Sequence, residues 1–135
     1  MDVQSALLAA TAAHAGFQVV VSAVVYPALA DVPPDQWAPA HDRHSRRISY
    51  VVAPLYALIV GACLWAVVAG PVTATVAVVV VANGIALATT ALVAAPTHGR
   101  MGRDGRTDQL VQRLLWSDRV RTVSAVTALV AAFAV

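Results

Sequence analysis

The chain has no lysine and no glutamate, one cysteine, and little charge of either sign. Of its 135 residues only 12% are charged and 6% aromatic, while 59% are hydrophobic. A soluble domain is about a quarter charged and about 45–50% apolar. Residues 48–99 carry no Asp or Arg at all. A run of that length cannot be the core helix of a soluble domain. It suffices for two membrane crossings, which need about 20 residues each. The missing charge therefore excludes a soluble class and points to an integral membrane protein. Cys63 stands alone in an apolar stretch, so no intrachain disulfide can form. The lack of Lys and Glu fits an Arg-, Ala- and Val-biased genome and carries no functional meaning.

All nine basic residues are arginine, and they fall in two groups. Arg43, Arg46 and Arg47 form the first; Arg100, Arg103, Arg106, Arg113, Arg119 and Arg121 form the second. Nucleic-acid binding needs a basic face on a folded soluble surface. Here the arginines flank apolar spans, so no nucleic-acid partner is expected and their role is topological. The expected fold is all-α, a single four-span transmembrane domain over residues 1–135. Spans are expected at about 5–29, 48–68, 72–94 and 114–135, with cytoplasmic loops at about 30–47 and 95–113. The positive-inside rule puts both arginine groups in the cytoplasm and both termini on the other side. The result is an antiparallel four-helix bundle, multi-pass in the inner (cytoplasmic) membrane. Residues 5–29 read as a retained span, because no basic region precedes them and the stretch exceeds a signal-peptide core.

Local signals refine this plan. Asp31-Val32-Pro33-Pro34-Asp35 is a breaker, with Asp35 placed to cap a helix that carries Trp37, His41, His44 and Arg47 into span two. Pro54 should distort that helix. Gly70-Pro71 is a turn, and Thr107 or Asp108 can cap the last helix. Residues 122–135 alone span only about 21 Å. The last helix must therefore carry Asp118, Arg119 and Arg121 against the bilayer edge. The two halves show a weak symmetry: a long span, a loop with proline and histidine, arginines, then a second helix.

The few polar groups inside the spans are the candidates for chemistry. Thr11, His14, Gln18 and Ser22 recur at helical spacing and share one face, which should turn from lipid toward the bundle interior. His14 and Asn83 each lie about 16 Å from the outer end of their span, so a hydrogen bond between them is expected. That bond is either glue between helices or a ligand contact. His41 and His44 share a helix face, and His98 should approach them from span three. Imidazoles suit Zn, Cu or Fe, although no Glu-x-x-His pattern accompanies them. Asp118 and Arg121 can pair on the last helix, with Arg47 in reach. Trp37, Trp65 and Trp116 are placed as interface anchors.

His14-Ala15-Gly16-Phe17, Tyr26-Pro27-Ala28-Leu29, Trp37 with His41 and His44, Pro96-Thr97-His98-Gly99-Arg100-Met101 and Asp118-Arg119-Val120-Arg121-Thr122 form a recognisable layout. It resembles the small four-span proteins of the DUF1772, anthrone oxygenase-like superfamily. The resemblance covers most of the chain and implies the same fold. In characterised members it implies oxygenation of an aromatic polyketide anthrone to a quinone. His98 stands where that family tends to have asparagine after the span-three proline, so the resemblance speaks more for the fold than for the chemistry.

Three functions are compatible with these residues. One is a membrane oxygenase or oxidoreductase acting on a lipophilic substrate. Its catalytic residues would be His98, His44, Asp118 and Arg121, with His14, Gln18, Asn83, Tyr26 and Arg47 binding substrate. Its cofactor would be a Cu, Fe or Zn ion on His41, His44 and His98, or none. The second is a non-catalytic membrane partner or lipid-binding module. The third is a small dimeric transporter using His14. The partners are the lipid bilayer and a lipophilic small molecule, and the small residues of the spans also permit a homo-oligomer.

Overall fold

The computed structural model describes residues 2–135. Four helices follow one another: α1 (Val3–Ala30), α2 (Pro34–Ala69), α3 (Ala74–Asp104) and α4 (Asp108–Ala132). No strand occurs among the described residues. Helices α1, α2 and α3 are long and apolar enough to cross a membrane. Helix α4 is not counted with them, since it keeps Asp118, Arg119 and Arg121 in its middle turns.

The helices run further than the loops expected at 30–47 and 95–113. Trp37–Ala69 is one α-helix of 33 residues, and α3 continues through Ala95–Asp104. Asp35 does not cap: it lies in the 3-10 turn Pro34–Gln36 that opens α2. There its charge still complements the positive end of the helix dipole. Asp2, Thr73 and Thr107 are the side-chain caps, accepting from the backbone N–H groups of Ser5, Val76 and Leu110. Gly105 ends α3 with φ of 80°, a left-handed conformation that costs glycine little. Arg106 bonds the Ala30 carbonyl through Nη1 at 2.7 Å and lies 5.8 Å from the Trp37 ring centre. One arginine thus ties the turn after α3 to the end of α1 and the start of α2.

Proline shapes α1 and α3 but not α2. A π-helical turn occupies Val21–Val25 just before Pro27, and another occupies Thr90–Ala94 just before Pro96. A proline ring collides with the carbonyl four residues back, which is Ala23 for Pro27 and Leu92 for Pro96. The wider turn relieves that collision without breaking the helix. The two turns, the two prolines and the His14–Asn83 pair all share a separation of 69 residues. Pro54, expected to distort span two, leaves α2 continuous.

Helix α4 packs against both α1 and α3, while α2 packs on α1 and touches α3 only loosely. Ala125, Ala128 and Ala132 line the buried face of α4, so its backbone can approach closely. One apolar cluster, with Leu7, Ile59, Val76 and Val79, fills the end that carries the termini. A second, with Val21, Tyr26, Leu29, Trp37, Met101 and Leu114, fills the end that carries the arginines. Between them lies a polar layer of Thr11, His14, Gln18 and Asn83, all buried.

Candidate functional site

The loose seam between α2 and α3 holds a cavity of about 650 Å³ at the arginine-bearing end. That volume falls within the usual range of small-molecule sites, about 300–1,000 Å³. Ile48 and Val52 of α2, Phe17 and Val21 of α1, and Ala94 and Ala95 of α3 form its apolar walls. Its polar lining is His41, His44, His98, Tyr26, Thr90 and Arg121, with Ser45, Ser49 and Asp42 on the α2 side.

The histidines come together as their spacing on α2 requires. His41 Nε2 and His98 Nδ1 are 3.2 Å apart in a hydrogen bond. The His44 ring lies 5.8 Å from that of His98. Trp37 stacks on His41 at 5.1 Å, and His41 on His98 at 5.4 Å, so the cavity has one aromatic wall. Trp37 is therefore no interface anchor: it is buried, with Nε1 donating to the Met101 carbonyl. The rings lie beyond the apolar stretches 48–68 and 72–94. Burial lowers the pKa of His41, and burial with the nearby His41 lowers that of His44. His98 is pushed down to about 4, by burial first and then by His41, His44 and Arg121. All three imidazoles are neutral at pH 7. Among the described residues no three His, Cys or acidic side chains are arranged to hold a metal ion. The expected trio meets, but two of its nitrogens point at each other.

Arg121 and Asp118 form the expected pair, with Nη2 to Oδ1 at 3.2 Å and both side chains 7% exposed. Asp118 also accepts from the Ser22 hydroxyl, which contacts Thr122 at 2.8 Å. Arg121 Nη2 donates to the Tyr26 hydroxyl at 2.7 Å, and Nε donates to the Ser117 carbonyl. These bonds use Nε and Nη2. The Nη1 donors of Arg121 and the O–H proton of Tyr26 are left over at the cavity wall. Asp118 does not line the cavity and acts on it only through Arg121.

Four residues expected to bind substrate lie outside the cavity. Arg47 is exposed and does not line the cavity. His14, Gln18 and Asn83 do not line it either. They form the separate buried layer, where the expected His14 Nδ1 to Asn83 Oδ1 bond is 2.8 Å long. Tyr56 closes that layer from α2, edge-on to His14 at 5.6 Å, and its hydroxyl meets Thr90 Oγ1 at 2.7 Å. Nothing in the sequence signalled Tyr56 or Thr90, because each acts across a helix interface whose register only packing fixes.

No family model, no curated protein and no solved structure matches the chain.

Proposed function

We propose that this is a four-span protein of the inner membrane that draws a flat, lipophilic molecule from the bilayer into the α2–α3 cavity and oxidises it. Both arginine groups face the cytoplasm and both termini face the opposite side, as the positive-inside rule directs. Helix α4 crosses beside α1, with Asp118 and Arg121 paired inside the bundle. The cavity carries this proposal. Its apolar walls suit a lipophile, and its stacked imidazoles suit an aromatic face. The seam between α2 and α3 is the route of entry, since these helices pack only loosely together.

The chemistry follows the anthrone oxygenase-like resemblance. A neutral imidazole, His98 assisted by His44, takes a proton from a carbon acidified by a neighbouring carbonyl. Arg121 Nη1 and the Tyr26 O–H donate to the oxygen on which that negative charge collects. The carbanion passes an electron to O₂ and combines with it to a hydroperoxide, which loses water to leave a new carbonyl. Asp118 holds Arg121 in place and balances its charge.

Filling the cavity tests the proposal. Val52→Trp puts an indole into the apolar wall while leaving every polar group intact. Calorimetric titration of anthrone into nanodisc-embedded protein is expected to show binding that weakens at least about tenfold in the variant, a loss of about 1.4 kcal/mol. Equal binding by both proteins would place the ligand elsewhere.

A further inference from the structure

We propose that His14 and Gln18 form a second, separate site in the bundle centre, and that it binds water. The donor count around Asn83 decides the chemistry of His14. The Asn83 amide nitrogen donates to the Val79 carbonyl at 3.0 Å and faces Thr11 Oγ1 at 3.4 Å. Its oxygen therefore faces His14 and can only accept. His14 Nδ1 must donate to it, which leaves Nε2 of the neutral ring as a bare acceptor. Among the described residues His14 Nε2 has no protein partner, and neither has either amide atom of Gln18, one helical turn further on. Both side chains are 0% exposed.

Three unmet groups on two adjacent side chains form a pattern, since the one other such atom among the described residues is Ser45 Oγ. An unmet polar group within a bilayer costs several kcal/mol. Direct pairing of Gln18 Nε2 with His14 Nε2 would still leave Gln18 Oε1 empty. The site offers two acceptors and one amide donor, which is water's own complement. A cation would find no carboxylate there, because Asp118 is held by Arg121 and Ser22. An anion would find the Gln18 amide as its one free donor. A pair of waters can donate to His14 Nε2 and Gln18 Oε1 and accept from Gln18 Nε2. The site is distinct from the large cavity, which Phe17 and Val21 line from the same helix and His14 and Gln18 do not. Water here would give His14 a proton-exchanging neighbour deep inside the bundle.

The sign of one substitution tests this. If water bridges the two side chains, Gln18→Leu strips its partners and leaves His14 Nε2 unmet. The folded-to-unfolded ratio in lipid–detergent micelles is then expected to fall about fivefold or more. If the site is dry, the same change removes two unmet groups, and stability stays level or rises, which would overturn the proposal. Should the variant fail to fold, the wild-type protein in lipid decides by ¹⁵N NMR. His14 Nε2 is expected to show an accepted hydrogen bond and a cross-peak to water protons. A bare Nε2 without that cross-peak would equally overturn it.

Discussion

Arg121→Met is expected to destabilise the folded bundle by about 3–5 kcal/mol, the cost of leaving one charge of a buried pair alone. Asp118 is 5% exposed, and among the described residues its only cationic partner is Arg121. The Ser22 hydroxyl can donate to that carboxylate but cannot cancel its charge. The same substitution removes the donor that Tyr26 accepts from, and Tyr26 belongs to the apolar cluster at the arginine-bearing end. Asp118→Asn added to Arg121→Met should restore most of the loss, because an apolar side chain beside a neutral amide leaves no uncompensated ion. Reversible unfolding of the wild type, both single variants and the double variant closes this cycle. Losses that simply add would show that the two groups are not coupled. By contrast the exposed Arg46–Asp42 pair, at 2.9 Å on one helix face, should contribute at most about 0.5 kcal/mol.

His98→Ala is expected to lower turnover of a lipophilic carbon acid about 10²–10⁴-fold, the usual contribution of a positioned base. His98 is only part-buried, so its loss should leave the bundle folded while removing the last ring of the stacked wall. His44→Ala should also suppress turnover. The pH profile gives a sharper readout. A base works only while neutral, so the rate falls as pH drops through its pKa. For a free imidazole that limb would lie near 6.5. For His98 it should lie near 4, and the activity should be flat from pH 7 down to about 5. A base this weak suits only an acidic C–H bond, which is why the donors of Arg121 and Tyr26 must act on the neighbouring oxygen. Full activity in both histidine variants would remove the imidazoles from the chemistry.

Much of this architecture could be read from the chain because it follows from period and charge. The uncharged run 48–99 and the arginine groups mark the apolar stretches of the long helices, but not the helix ends, which lie beyond the arginines of α2 and α3. The spacing of Thr11, His14, Gln18 and Ser22 places them on one buried face. Counting residues from the span ends put His14 level with Asn83, and they do meet. The pairing of Asp118 with Arg121 follows from their separation of three. What escaped the sequence depends on how helices sit against one another. Arg47 and His44 lie three apart on α2, and no local rule says which of them faces the cavity. Trp37 looked like an interface tryptophan until Arg106 and His41 covered it. The cavity lies where α2 packs only loosely on α3, although His41–His98 and Tyr56–Thr90 tie the two helices together. That is a property of pairs of helices, and a one-dimensional pattern does not display it.

The π-helical turns make two segments of α1 and α3 unusually tolerant of losing a residue. Each of these helices carries one residue more than an unbroken α-helical ladder would accommodate, between its polar layer and its proline. Loss of a single codon from Val21–Val25 would let the ladder close. The wide turn already absorbs the rotation of its extra residue, so His14 and Gln18 would keep their direction relative to Tyr26. The same loss from the regular helix Val3–Val20 would instead turn one part of α1 against the rest by about 100°. Within one helix, an in-frame deletion would thus spare the inward-facing surface at the π turn and disrupt it a few residues away.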